Sequence, residues 1–424
     1  MDVISVVRWI GFVAGVITVG AVVSSIVTTL VVPRLLPSKI SYLTWRAAHR
    51  AFMAAAARRP DYESKDRVLA LLGPVSLLIL LGNWLLMALL GYALLFWPFI
   101  GGGIGDALRL SGSSLVTLGI ASDARVVPTV LEVMAAATGL VIVALEIGYL
   151  PTIYSAYNRR ESLVTVLAHR AGAPNVPVWG PEILARHHLA DGLGTLPALY
   201  AAWEGWSADV AESHSSYPWL MSFRSPNPMR SWIVSLLAVL DSAALYLALA
   251  PSRAPAEARQ CLRGGFMGLR AISRITGGRY DEDPRPDGPL ALTYQAFAEA
   301  VATLERLGFP LERSAEEAWP DFRGWRVNYE AVCYDLADYF VAVPAPWSGP
   351  RQHMSEMSVA AVLAARPRHR SPRDPAGQTA LPAQSPSDIV ITGVTPLEQA
   401  QAETMTARED REITVKRHAI QEHD

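Results

Sequence analysis

Residues 111–128 read SGSSLVTLGIASDARVVP, a hydroxyl-rich stretch that turns apolar, and they separate two apolar runs at 69–99 and 128–154. Each run exceeds the roughly 20 residues that a helix needs to cross a bilayer. The stretch between them is read as a re-entrant loop. Non-helical backbone is tolerated at membrane depth only where protein covers it or water lines it, because an unpaired peptide group is costly in hydrocarbon. Such a loop therefore implies a lumen. Ahead of it, residues 101–105 are glycine-rich and make a flexible turret, and Asp106 is placed to cap a short helix running to about Val116. With its C-terminus toward the lumen, that helix would set about half a negative charge beside a dehydrated cation.

The order of apolar span, short helix, Thr117-Leu118-Gly119, an acid at Asp123 and a second span opening at Pro128 resembles the two-transmembrane, pore-loop potassium channel family. Filters of that family usually read Thr-Val-Gly-Tyr-Gly-Asp or Thr-Leu-Gly-Phe-Gly-Asp. Here Thr117, Leu118 and Gly119 match, Ile120 takes the aromatic position, Ala121 replaces the second glycine, and Ser122 is one inserted residue before Asp123. The resemblance covers residues 68–160. It implies an ion-conducting filter at Thr117, Leu118, Gly119, Ile120, Ala121 and Asp123, coordinating a monovalent cation, potassium in the first place, through backbone carbonyls and the Thr117 hydroxyl. One loop cannot enclose an ion, so it also implies a homotetramer with closed rotational symmetry. Ala121 carries a Cβ where the family has glycine, which predicts backbone strain at that position and leaves ion selectivity open.

Working outward, residues 6–32 form a further apolar run, interrupted by Arg8 and long enough to span. Gly11 and Gly15 in it would let another helix approach closely. Residues 33–68 carry eight basic residues, whereas the connection between the next two spans carries only Arg109 and Arg125. The positive-inside rule then places 33–68 in the cytoplasm and both the N-terminus and the loop outside, in an inner (plasma) membrane. Within the basic stretch, residues 40–57 set Leu43, Trp45, Phe52 and Met53 among arginines, a pattern for an amphipathic helix on the inner leaflet or a solvated linker helix. Asn83 lies mid-span and is expected to face protein. In the last span Glu132 sits where a helix dipole favours a carboxylate. Gly139 and Glu146, seven residues apart, share a face and are read as shaping an inner cavity and its gating. For Glu146 an ion pair with the basic linker is the competing expectation, and for Gly139 simple close packing.

Beyond Asn158 the pattern is helical, at about 161–171, 181–191, 195–213, 231–250, 255–275, 289–307 and 324–342, with turns between. Residues 232–250 are apolar enough to be counted as a fourth span, but Asp241 at their centre argues for a buried core helix. Adjacent Glu212, Ser213 and His214 lack the glycines of a nucleophile elbow, so no hydrolase is expected. His187, His188 and Asp191 fall short of a metal site. Trp319, Trp325, Arg326 and Tyr329 read as the core of a terminal helix pair. From residue 348 the Pro-, Ala-, Ser-, Gln- and Arg-rich composition predicts disorder, with a short motif near 389–394.

The net charge of −2 offers no basis for binding nucleic acid, and Cys261 and Cys333 have neither disulfide-framework nor metal-site spacing. No metal or other cofactor is expected. Together these observations predict an all-α membrane protein: an N-terminal span (1–32), a basic linker (33–68), a pore unit (69–157), a helical cytoplasmic domain (158–347) and a tail (348–424). A cation channel in contact with membrane lipid is the first expectation. A non-conducting membrane anchor for a helical sensor or scaffold is the second.

Overall fold

The computed structural model describes residues 3–32, 38–171 and 177–349, and among these the chain is helical with no strand. The start of the basic stretch, residues 33–37, and the chain beyond residue 349, including the motif at 389–394, lie outside the described residues. Four helices are long and apolar enough to cross a membrane. In chain order the first elements are α1 (Val3–Ile26), α2 (Lys39–Ala57), α3 (Tyr62–Leu69), α4 (Leu72–Phe96), α5 (Ile104–Leu115) and α6 (Val126–Ala171). They are followed by α7 (Gly180–Leu189), α8 (Leu196–Ser216), α9 (Trp232–Leu249), α10 (Ala256–Thr276), α11 (Tyr294–Arg306), α12 (Ala315–Arg326) and α13 (Glu330–Tyr339).

Two apolar clusters organise these helices. The first joins α1, α4, α5 and α6 as far as Ala156, together with Trp219, Leu220 and Phe223. Gly15 is what lets α1 approach α4, since a Cβ there would meet the Gly91 carbonyl oxygen at 2.8 Å. The GxxxG pair thus packs within one chain. Asn83 does face protein, donating to Thr44 Oγ1 on α2 at 3.0 Å. That contact explains why α2 forms as expected but sits against α4, with Thr44, Ala48 and Ala56 buried and Leu43 left exposed.

The second cluster is built around α9. Its whole apolar window is buried inside the protein, against 22%, 39% and 28% for the windows of α1, α4 and α6. The core-helix expectation for residues 232–250 therefore holds. Asp241 meets Arg326 of α12, and Tyr329 donates to the same carboxylate at 2.9 Å. Arg326 also reaches Glu330 at 2.6 Å and the Trp347 carbonyl oxygen at 2.8 Å, and it is 0% exposed. Burial pulls the guanidinium pKa down, but Asp241, Tyr334 and Glu330 outweigh it and hold Arg326 well above its ordinary value.

Two boundaries differ from the sequence expectation. The expected helix at 324–342 is two helices, α12 and α13, because Ser314 and Glu317 form a capping box that starts a helix at Ala315. The last span and the expected helix at 161–171 are one 46-residue helix, α6, with Pro151 inside it. The expected division at residues 157 and 158 thus falls within one continuous helix, about 69 Å along its axis. Where α6 leaves the first cluster, buried Arg160 donates to the carbonyls of Leu220 (3.0 Å) and Phe223 (2.6 Å). The Phe223 ring in turn fills the space left by Gly73 at the foot of α4. The segment around Pro218–Ser222 is thereby shared by the two clusters, with Trp219 and Leu220 in the first and Met221 in the second.

Candidate functional site

The segment after α5 is seated by hydroxyls and small residues. Ser111 Oγ donates to the Leu89 carbonyl of α4 at 2.8 Å, and Tyr92 ties α4 to α6 through Thr138 Oγ1 at 2.7 Å and the Met134 carbonyl at 3.1 Å. Asp106 is not the N-cap: Gly103 is, and Asp106, three residues later, accepts the Gly103 N–H at 2.9 Å. Either position satisfies a first-turn donor and favours the positive helix end. Arg8 of α1 donates to the carbonyls of Ile100 (3.4 Å) and Gly102 (3.1 Å), which fixes the glycine-rich approach.

At its C-terminus α5 closes in a capped turn. Thr117 N–H bonds to the Ser114 carbonyl at 3.0 Å and Leu118 N–H to the Ser113 carbonyl at 2.8 Å, with Thr117 at φ 54°. This is a Schellman motif with threonine at the left-handed position that glycine ordinarily takes. The strain expected at Ala121 is therefore located at Thr117, since a β-branched residue at positive φ is an outlier. Gly119 follows at φ 69°, and Ala121 does not have positive φ. A Thr117→Gly variant is expected to raise the stability of the full chain by about 1 kcal/mol, read as a higher thermal midpoint in detergent. A lower midpoint would mean that the Thr117 side chain contributes more than its backbone conformation costs.

The loop is pinned on its far side. Ser113 Oγ donates to the Ala121 carbonyl and accepts the Ala121 N–H, both at 2.9 Å. Asp123 N–H donates to Glu132 Oε1 at 2.8 Å, and Thr129 Oγ1 to the Asp123 carbonyl at 3.0 Å. Between these anchors the carbonyls of Thr117, Leu118, Gly119 and Ile120 accept no hydrogen bond from the described residues. Leu118 and Ile120 are each 61% exposed. Four successive free carbonyls thus stand at the negative end of α5.

Not every expected site residue stands there. Asp123 is engaged by Arg125, which donates through its backbone N–H at 3.0 Å and its guanidinium, and this holds the carboxyl pKa down at about 2. It is a loop fastener with its charge paired, not a free filter acid. Gly139 and Glu146 do share a face, but that face turns into the chain and not onto an open cavity. A Cβ on Gly139 would collide with the Leu115 carbonyl at the end of α5, so close packing is its role. Glu146 is 4% exposed beside Tyr149 and has no ion pair among the described residues, so neither of its two expected placements is observed. The periodic stripe Leu131, Ala135, Gly139, Ile142, Glu146, Tyr149 faces protein because it packs on α4 and α5, while Val130, Val133, Leu140 and Ile147 are exposed.

The remaining candidates resolve as structure. His214 is fully buried, and an Arg160 N–H donates to its Nε2 at 3.1 Å, so Nδ1 carries the proton facing Ser213 Oγ at 3.2 Å. Burial, then the Arg160 charge, keeps the ring pKa well below its ordinary value. A ring that donates to the serine cannot take its proton. His187 Nδ1 bonds the Ile183 carbonyl at 2.7 Å, and His188 packs on Phe309. Ser113 and Arg8, which hold the loop, were missed from sequence. The signal for Ser113 was a hydroxyl in the last turn of a helix that must end abruptly.

No protein-family model, no curated protein and no solved structure matches this chain.

Proposed function

We propose that the chain is a potassium-channel-like cation channel of the inner membrane, with α1, α4 and the first half of α6 as spans, four copies around one axis and a regulatory helical domain in the cytoplasm. The observation that carries this reading is the run of free carbonyls from Thr117 to Ile120, which follows α5 where it packs between α4 and α6. Carbonyls at membrane depth need water, an ion or another polar group, and filters are built from such rings. The exposed apolar face of α6 and the exposed Leu118 and Ile120 side chains fit contact with lipid or with neighbouring copies. The basic residues of α2 and α3 favour a cytoplasmic side for that end of the spans.

One observation favours the non-conducting anchor: the N–H groups of Thr117 and Leu118 are committed to capping α5, in a turn typical of ordinary helix ends. Flux separates the two. Purified protein in liposomes is expected to pass potassium or another monovalent cation, and Gly119→Asp to abolish that flux by placing a side chain and a charge at a left-handed position. Chemical cross-linking in detergent is expected to trap four copies. Silence in the flux assay together with a monomeric cross-linking pattern would leave the anchor.

A further inference from the structure

A small pocket, part of it open to solvent, lies between the foot of α4 and the first turn of α9. Its polar lining includes His49, Ser222, Arg224, Ser225, Arg230 and Ser231, with Ser222 Oγ accepting from Trp45 Nε1 at 3.3 Å, and no acid lines it. Trp232 and Ile233 of the first turn of α9 complete that wall, and apolar side chains such as Leu69, Leu72 and Phe340 form the rest.

The chemistry of that lining is one-sided. Ser231 is the N-cap of α9 yet makes no side-chain cap bond, so the first-turn N–H groups of an 18-residue buried helix lack their usual acceptor. The Ser225 hydroxyl is also without a partner, in a residue only 8% exposed. Buried hydroxyls are almost always hydrogen-bonded, so one that is not, beside a helix N-terminus, points to a missing acceptor. Arg230 donates to Thr165 Oγ1 at 3.2 Å and forms no ion pair among the described residues. Arg224 is already held by Asp66, Tyr62 and the carbonyls of Phe340 and Val341, so it shapes the wall and adds little free charge. His49 stacks between Trp45 and Tyr339, and burial keeps its pKa below the ordinary value.

We propose that this pocket binds a phosphate-type oxyanion, with the α9 N-terminus, Ser225, Ser231 and Arg230 as its donors. One guanidinium, two hydroxyls and a helix end satisfy a tetrahedral oxyanion, and the site has no carboxylate to repel it. The phosphate could come from a soluble ester or from a lipid headgroup at the end of α4, and the two sources are separable. The site stands apart from the loop after α5, so it does not depend on conduction.

The test is the thermal midpoint of the full chain in detergent at fixed ionic strength. Inorganic phosphate is expected to raise it by about 3 °C over chloride, and Ser225→Ala and Arg230→Gln each to weaken phosphate affinity about tenfold, read as a shift cut to about 1 °C or less. Ser225→Ala removes a hydroxyl with no partner, so the unliganded variant should fold at least as well as the parent, which separates lost binding from lost structure. If phosphate is inert but micelles doped with phosphatidylglycerol raise the midpoint over phosphatidylcholine, and both substitutions remove that shift, the oxyanion is a lipid headgroup. A midpoint that responds to neither, or a shift that both substitutions leave intact, overturns the proposal.

Discussion

Replacing Arg326 with methionine should destabilise the helical domain by about 3–5 kcal/mol, enough to unfold it at moderate temperature. The guanidinium is fully buried and is the only basic group ion-paired to Asp241 and Glu330 among the described residues. Removing it leaves two carboxylates in a low-dielectric core beside Tyr329 and Tyr334. Denaturant unfolding of the full chain in detergent measures the loss. The double variant Asp241→Leu with Arg326→Met should recover part of it, since an apolar pair of similar volume replaces the ion pair, while Glu330 keeps the recovery incomplete. Equal stability of the single and double variants would show that Asp241 is not the group Arg326 neutralises.

A Gly139→Val change should unseat α5. The added Cβ would overlap the Leu115 carbonyl, and backbone on both sides cannot rotate away as a flexible side chain could. A loss of about 3 kcal/mol is expected, together with loss of any cation flux, because Leu115 leads directly into the free carbonyls of Thr117 to Ile120. Gly148→Ala on the same helix has open space around it and should be neutral or slightly stabilising. If the two substitutions behave alike, the close approach of α5 and α6 is not what positions the loop.

Long-period apolarity was the legible part of this sequence. Runs of 20 or more apolar residues and the helical repeat beyond residue 160 predicted the helices, and Asp241 correctly marked α9 as a core helix, because an acid at the centre of an apolar run needs a partner that protein supplies more readily than lipid. The short helix before residue 116 was legible too, from its acid and the polar stretch around it. What was hidden is directional. A seven-residue spacing told that Gly139 and Glu146 share a face, but not whether that face meets an axis or a neighbouring helix, since both demand small or polar residues. The letters Thr-Leu-Gly likewise fit a filter and a helix cap alike; only the hydrogen bonds from Thr117 and Leu118 distinguish their backbone paths. Asp123 was read as part of the filter because nothing in the letters shows that Arg125, two residues on, folds back onto it.

The course of α6, continuous through Pro151, gives the molecule a lever. Gly139 and Arg160 lie 21 residues apart on it, or about 32 Å. If that rod pivots on the Leu115 contact, a tilt of about 5° moves the Arg160 end sideways by about 3 Å, far enough to break its grip on Leu220 and Phe223. Pro151 lies between the two points and removes a backbone hydrogen bond there, so it is the place where motion at one end of this stretch is either absorbed or passed to the other.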